Sequence, residues 1–166
     1  MTRRLLATTA TEAETLALGR RLAARLAPDG TLLLSGDLGA GKTVLARGVA
    51  AGLGIPPDEV QSPTYTLVRE HRAPGGGRFV HLDLYRLDPE EVADLGLDEV
   101  LAAPGVKVVE WAERLGFAPA GAIALVLERS AGGREIWEVE PGAAAESRSR
   151  EESPTESRDS EEEIIR

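Results

Sequence analysis

Apolar residues recur along the chain at two spacings, one typical of helices and the other of buried strands. Leu18, Leu22 and Leu26 follow one another at every fourth position, which places them on one face of a helix. The sequence TEAE at 11–14 fits a capping box, in which a threonine hydroxyl and a glutamate carboxylate satisfy free amides at a helix start. The continuous apolar run TLLLS at 31–35 predicts a strand buried on both faces of a sheet.

The same two spacings, together with glycine and proline signals, predict the remaining elements. In chain order they are an opening strand at 3–8, a helix at 42–53, a hairpin within 65–86 that turns at 73–77, short helices at 89–95 and 98–102, a buried strand at 106–110, and a closing hairpin formed by 122–129 and 135–140. Helices that alternate with buried strands indicate an α/β fold.

The end of the chain differs in composition from the rest. Residues 142–166 carry 8 acidic and 4 basic side chains, contain no aromatic residue and have apolar residues only at their two ends. Such a segment cannot bury enough apolar surface to offset the entropy lost on folding. We expect one domain over 1–141 and a disordered acidic tail over 142–166.

Charge and composition argue against several classes of protein. A formal net charge of −9 disfavours a protein that grips nucleic acid, since that requires a basic surface. The chain has no Cys, so it has neither a disulfide framework nor a thiolate metal site. No apolar run approaches the roughly 20 residues that cross a bilayer, and the apolar stretch at the N-terminus is too short for a signal peptide core. We expect a cytoplasmic location.

The segment GDLGAGKT at 36–43 fits the pattern G-x-x-x-x-G-K-[ST] in full. Its glycines let backbone amides approach phosphate oxygens, Lys42 can neutralise the β- and γ-phosphates, and the Thr43 hydroxyl can ligate Mg²⁺. A chance match is expected in roughly two of a thousand chains of this composition. Since the segment also lies between a predicted buried strand and a helix, it predicts a P-loop NTPase-like sheet with flanking helices and antiparallel hairpins.

Two carboxylates are candidates for the acid that a P-loop protein needs beside its Mg²⁺ or its attacking water. Asp83 lies in a strand where alternation places it on one face with His81 and Tyr85. Glu110 ends the strand 106–110, at the edge where ligands bind in open α/β sheets. Each could instead be a surface carboxylate paired with arginine, and His81 is equally well explained as a core histidine. We favour a role in the site for both acids.

Four sequence blocks in the same order carry a family resemblance. They are GDLGAGKT at 36–43, SPTYTL at 62–67, HLDLYRL at 81–87, and Glu110 followed by Trp111. Together they resemble TsaE, the P-loop ATPase of the bacterial machinery that makes threonylcarbamoyladenosine in tRNA, over roughly residues 5–140. The resemblance implies an ATP- and Mg²⁺-dependent protein that acts on a complex of TsaD and TsaB, with tRNA reached only through that complex.

The resemblance also implies roles for the residues that match the family's motifs. Thr43 and Glu110 bind Mg²⁺, directly or through water. Lys42, Asp83 and Thr64 are catalytic, with Asp83 the Walker B-type acid and Thr64 part of a switch-like segment at 62–66 that senses the γ-phosphate. The ATP-binding residues are Leu38, Gly39, Ala40, Gly41, Lys42, Thr43 and, before the first helix, Glu12. Glu12 is equally well explained as a first-turn acid favoured by the helix dipole, and Trp111 either stacks near the site or on a partner, or is a plain core aromatic.

Two other functions fit a P-loop, and the sequence disfavours both. A small-molecule kinase usually needs an arginine-bearing lid over its acceptor, and no lid insertion is evident. Guanine selection in regulatory GTPases resembles an Asn-Lys-x-Asp motif, which a chain without Asn cannot contain. The motif blocks hold no clearly placed arginine finger, although Arg86 is a candidate, so we expect weak ATP hydrolysis that rises when partners order the switch.

Overall fold

The computed structural model describes residues 2–62 and 66–142 of the chain. This part forms seven strands and four α-helices, and it confirms the predicted α/β class. The strands are β1 (Arg3–Thr9), β2 (Thr31–Gly36), β3 (Val68–Arg72), β4 (Arg78–Asp83), β5 (Val106–Glu110), β6 (Ile123–Ser130) and β7 (Gly133–Val139). The helices are α1 (Glu12–Leu26), α2 (Lys42–Gly52), α3 (Pro89–Asp94) and α4 (Leu97–Ala102).

All seven strands belong to one mixed sheet in the order β1-β7-β6-β2-β5-β4-β3. Its centre is parallel, because β2 pairs with β5 and β6 in the same direction and β4 pairs with β5 likewise. The two predicted hairpins, β3–β4 and β6–β7, add antiparallel pairs on either side. The carboxyl ends of β2, β4 and β5 therefore meet at one edge of the sheet, which is where open α/β sheets bind ligands.

Alternation along the central strands gives the sheet two apolar faces. Leu32 and Leu34 pack on the face covered by α1 and α2, whereas Leu33 packs with side chains of α3 and α4 on the opposite face. In β4, Phe79 lies on the α1–α2 side, while Val80 and Leu82 lie on the other. This three-layer arrangement matches the expectation that β2 is buried on both faces.

The start of α1 differs from the predicted capping box in one hydrogen bond. The Thr11 hydroxyl accepts from Glu14 N at 3.2 Å, as expected, but the Glu14 carboxylate accepts from Ala10 N at 2.6 Å and not from Thr11 N. The hydroxyls of Thr9 and the buried Thr15 lie 2.7 Å apart and hold the end of β1 against the first turn. That contact brings Ala10 N, one residue earlier than predicted, within reach of the carboxylate.

Two predictions fall on residues outside those that the structure describes. Thr64 lies there, and so does the acidic tail apart from Gly142, so the division into a domain and a tail stays a prediction. Within the described ranges, every helix is too short or too polar to cross a membrane.

Candidate functional site

The predicted phosphate loop joins β2 to α2 and is shaped by glycines with positive φ. Gly36 has φ 136° and Gly41, the N-cap of α2, has φ 106°, a region that side chains bearing a Cβ rarely adopt. A Cβ on Gly36 would lie 2.2 Å from the carbonyl oxygen of Leu127 in β6. The loop can therefore follow this path only with glycine, and the N-terminus of α2 faces the space that an anion would occupy.

Lys42 is the first residue of α2 and is only 4% exposed. Its ammonium donates to the carbonyl oxygens of Gly36 at 2.5 Å and Asp37 at 2.8 Å, and lies 4.2 Å from the centre of the Trp111 ring. Burial lowers the pKa of Lys42, and nearby carboxylates, Glu110 first among them, oppose that shift. The two carbonyl oxygens and the Trp111 ring are uncharged and do not neutralise the ammonium. A phosphate bound in front of the loop would provide the missing negative charge.

Thr43 and Glu110 meet at the carboxyl edge of the sheet, as both predictions require. The Thr43 hydroxyl lies 3.0 Å from each oxygen of the Glu110 carboxylate, which is 3% exposed. Glu110 reaches this position because it ends β5 and is paired with Leu34 of β2, two residues before the loop begins at Gly36. A second hydrogen bond, 2.7 Å long, joins Glu110 Oε1 to His81 Nε2.

Asp83 lies beside Glu110 at the end of the neighbouring strand, since the two residues are paired in the β4–β5 register. Its carboxylate accepts from the Ser62 hydroxyl at 3.2 Å and from the backbone N–H of Tyr85 at 2.9 Å. Asp83 therefore contacts the start of the switch-like segment on one side and the loop after β4 on the other. Of the two predicted acids, Glu110 is the one bonded to Thr43.

These groups surround a cleft with a volume of about 280 Å³. The predicted residues on its lining are Glu12, Leu38, Gly39, Gly41, Lys42, Thr43, Asp83 and Glu110. Ala40 differs from them, because its side chain is buried in the core on the α1–α2 side and its N–H donates to Asp37 O at 3.1 Å. Leu38 is 66% exposed and forms an apolar rim.

Trp111 also lines the cleft, with an unusual backbone conformation at φ 58°. Its ring packs on Tyr85, with 4.9 Å between the centroids. Arg114 holds the loop after β4 by donating to the carbonyl oxygens of Leu84 at 3.2 Å and Leu87 at 2.7 Å, and to that of Tyr85. Of the alternatives that the sequence left open for Trp111, the structure shows a largely buried ring on the wall of the site.

Sequence reasoning missed two arginines beside the phosphate loop. Arg134 of β7 lines the cleft, with its Nε 2.8 Å from where a Cβ on Gly41 would lie. Arg129 of β6 donates to Gly39 O at 3.3 Å and is paired with Arg134 in the β6–β7 register. The two arginines face each other across the turn at 131–132, where Ser130 pairs with Gly133. Their place beside the loop depends on β6 lying next to β2, which no local sequence pattern indicates. Arg86, the predicted candidate finger, is exposed and is not part of the described cleft lining.

The donor set at the cleft fits Mg²⁺. The Thr43 hydroxyl and the Glu110 carboxylate are hard oxygen ligands of the kind this ion prefers, and the Asp83 carboxylate ends the neighbouring strand. In the described parts of the chain no three His, Cys, Asp or Glu side chains cluster as a closed metal cage. Mg²⁺ usually binds through one or two carboxylates together with substrate phosphates and water, so an open set of this kind is what a phosphate-bound ion requires.

A mixed sheet with a parallel centre, in which a glycine loop joins a central strand to a helix that begins with lysine and threonine, defines the class of P-loop proteins. Within that class, the family described as "Threonylcarbamoyl adenosine biosynthesis protein TsaE" matches residues 9–136, and the chain belongs to this family. The predicted family is thereby confirmed.

Individual relatives agree with the family match. A protein from Nostoc sp. named tRNA threonylcarbamoyladenosine biosynthesis protein TsaE is 40% identical over 131 residues, covering 76% of this chain and 80% of the relative. A protein of the same name from Bacillus subtilis is 46% identical over 99 residues, 60% of this chain and 61% of the relative. The crystal structure of Bacillus subtilis YdiB superposes with a TM-score of 0.61 at 34% identity, over 86% of this chain and 85% of that one.

Proposed function

We propose that this chain binds ATP with Mg²⁺ in the cleft and hydrolyses it, in the service of the TsaD–TsaB complex that modifies tRNA. The observation that carries the proposal is the meeting of Lys42, Thr43 and Glu110 at one edge of the sheet. In the sequence, 67 positions separate Thr43 from Glu110, yet the hydroxyl and the carboxylate are in hydrogen-bond contact. A buried cation and a hydroxyl–carboxylate pair, both beside a glycine loop, form a site for a metal-bound polyphosphate.

Each side chain has a role that its contacts support. Lys42 exchanges the carbonyls of Gly36 and Asp37 for β- and γ-phosphate oxygens, and the amides of the loop hold the same phosphates. Thr43 and Glu110 hold Mg²⁺, which would neutralise charge that develops on the phosphate oxygens. Asp83, bonded to Ser62 and displaced from Thr43, orients the attacking water. Arg134 adds a positive charge at the rim.

The partners in this proposal are TsaD and TsaB, with tRNA held by their complex and not by this chain. The net charge of −9 supports that division, because a phosphate-gripping surface is basic. Asp83 accepts a hydrogen bond from Ser62, so a partner that moves Ser62 would also move the catalytic carboxylate. Intrinsic hydrolysis is then slow and rises in the complex, which we place in the cytoplasm.

Displacement of a fluorescent ADP analogue by ATP or GTP tests the ligand assignment. We expect ATP to displace the probe better than GTP, and Mg²⁺ to strengthen the displacement. Lys42→Ala removes charge-assisted hydrogen bonds worth about 1.5–3 kcal/mol, so ATP affinity should fall roughly ten- to hundred-fold. Lys107→Ala, at the only other lysine in the chain, is the control for ATP affinity. A preference for GTP, or unchanged ATP affinity in Lys42→Ala, would contradict the proposal.

A further inference from the structure

His81 occupies the middle of β4 and is completely buried. Its ring lies 6.2 Å from that of Phe79, measured between centroids, and its Nε2 lies 2.7 Å from Glu110 Oε1. Nδ1 is buried too, and within residues 2–62 and 66–142 it has no hydrogen-bond partner. The hydrogen bond to the Glu110 carboxylate therefore explains why a polar imidazole is found at this fully buried position.

An apolar side chain would fill the same position at lower cost, since burying an imidazole without full hydrogen bonding is unfavourable. The neighbours of His81 along the strand, Val80 and Leu82, are apolar and equally buried. Because the carboxylate can only accept, the hydrogen bond to Glu110 requires the ring to donate from Nε2. The ring thus provides a fixed donor behind the carboxylate.

The carboxylate of Glu110 is held from two directions. His81 donates to Oε1 from inside the sheet, whereas the Thr43 hydroxyl lies 3.0 Å from both oxygens on the cleft side. With the His81 bond in place, the carboxylate cannot turn about its last torsion without breaking a buried hydrogen bond. One face of the group is therefore kept towards Thr43 and the cleft.

We propose that His81 is a positioning residue whose Nε2–H holds Glu110 towards Thr43 and so sets the Mg²⁺ affinity of the nucleotide complex. This inference rests on the proposed function. Groups that hydrogen-bond a metal ligand from behind typically change metal affinity about 10- to 100-fold when they are removed. His81 would act through Glu110 without touching the ion or the nucleotide.

The chain offers matched variants for a test. His81→Gln keeps an N–H donor near the position of Nε2, whereas His81→Asn carries the same amide on a side chain too short to reach Glu110, and His81→Leu has no donor. His71, the other histidine of the chain, packs against Phe79 at a similar centroid distance, 6.1 Å, from the neighbouring strand. His71→Leu therefore removes a comparable ring contact and leaves the Glu110 hydrogen bond intact.

The readouts are Mn²⁺ affinity of the ADP complex, measured by electron paramagnetic resonance, and affinity for the fluorescent ADP analogue in excess EDTA. We expect His81→Leu and His81→Asn to weaken Mn²⁺ binding roughly 10- to 100-fold with unchanged affinity in EDTA. His81→Gln should recover most of the loss, and His71→Leu should match the wild type. If the Leu variant does not fold, the Gln and Asn pair carries the comparison.

Three results would overturn the inference. The first is Mn²⁺ affinity that does not differ among the His81 variants and the wild type. The second is an equal loss in EDTA and in Mn²⁺, which would reduce His81 to a packing residue. The third is wild-type nucleotide binding that does not respond to Mn²⁺ at all, a result that contradicts the proposed metal site itself and is thereby distinguishable from the first two.

Discussion

Asp83 and Glu110 lie side by side at the ends of β4 and β5, but they have different partners. Glu110 is bonded to Thr43 and His81 and is 3% exposed, so its position is fixed by the sheet. Asp83 is partly exposed and accepts from the Ser62 hydroxyl and a loop N–H, so its position depends on loops. The fixed position of Glu110 suits its proposed role as a metal ligand. The loop contacts of Asp83 would let a partner change the position of this proposed water-orienting carboxylate.

Asp83→Asn should keep the fold and ATP binding but slow hydrolysis. The amide can still bond to Ser62 and to Tyr85 N, yet it cannot polarise a water as a carboxylate does. General-base and water-positioning groups contribute about 10²–10⁴-fold to rates, so we expect a loss of phosphate release within that range. Asp94→Asn at the exposed end of α3 is the control. Normal phosphate release by Asp83→Asn would remove this residue from the mechanism.

Sequence patterns predicted those site residues whose role is marked by their own segment of the chain. The loop residues 36–43 and the acids at strand ends carry their own signals, so the sequence predicted Lys42, Thr43 and both carboxylates. No sequence signal marks Arg129 or Arg134, because their place beside the loop depends on β6 lying next to β2. The bond between His81 and Glu110 likewise depends on register between strands 29 positions apart in the chain.

Helices α1 and α2 approach each other closely at two glycines, a feature that the periodicity of the sequence does not reveal. A Cβ on Gly48 would lie 2.3 Å from the carbonyl oxygen of Leu16, and one on Gly19 would lie 2.4 Å from that of Leu45. Both atoms belong to backbone, which cannot move aside without shifting a helix. Since α2 begins with Lys42 and Thr43, this packing also fixes the direction of the site's two P-loop side chains.

Gly48→Ala should therefore destabilise the protein, although alanine favours helices over glycine. Overpacking typically costs about 1–3 kcal/mol, and a clash with backbone belongs at the upper end of that range. Chemical denaturation measures the free energy of unfolding. Gly75→Ala, where a Cβ meets nothing within 4 Å, is the control, and its effect should stay within about 0.5 kcal/mol. A Gly48→Ala protein as stable as the wild type would contradict the close helix crossing.

Glu138 of β7 joins three elements through two arginines. It accepts from Arg25 of α1 at 2.7 Å and from Arg4 of β1, and its side chain is 21% exposed. The hydrogen bond from Arg25 is the main cause that lowers the pKa of Glu138 below its ordinary 4.5; burial opposes it and Arg4 adds to it. The pKa of Glu138 is lower in the folded state than in the unfolded chain. The charged carboxylate therefore stabilises the fold fully above pH 4.5, and this stabilisation is lost as the pH falls through the folded-state pKa.

Glu138→Gln should lower the free energy of unfolding by about 1 kcal/mol at neutral pH, since it removes a partly exposed ion pair. The difference from the wild type should shrink as the pH falls below 4.5, where the wild-type carboxylate also loses its charge. Denaturation at several pH values measures both effects, with the exposed Glu140→Gln as control. A difference that does not change with pH would show that the charge of Glu138 is not its cause.

For the molecule as a whole, the kinds of element were predictable and their arrangement was not. Local patterns marked all seven strands and both hairpins near their observed positions. The order β1-β7-β6-β2-β5-β4-β3 depends on which strands share hydrogen bonds, and no local pattern encodes that. The division at residue 141 stays a prediction.

The central claim is that this cleft hydrolyses ATP under the control of partners, and phosphate release from ATP tests it most directly. The rate is measured for the chain alone and with the TsaD–TsaB complex, with Lys42→Ala as the inactive control. We predict slow release by the chain alone, faster release in the complex without any phosphoryl acceptor, and neither with Lys42→Ala. No phosphate release under either condition, or fast release that the complex leaves unchanged, would contradict the account.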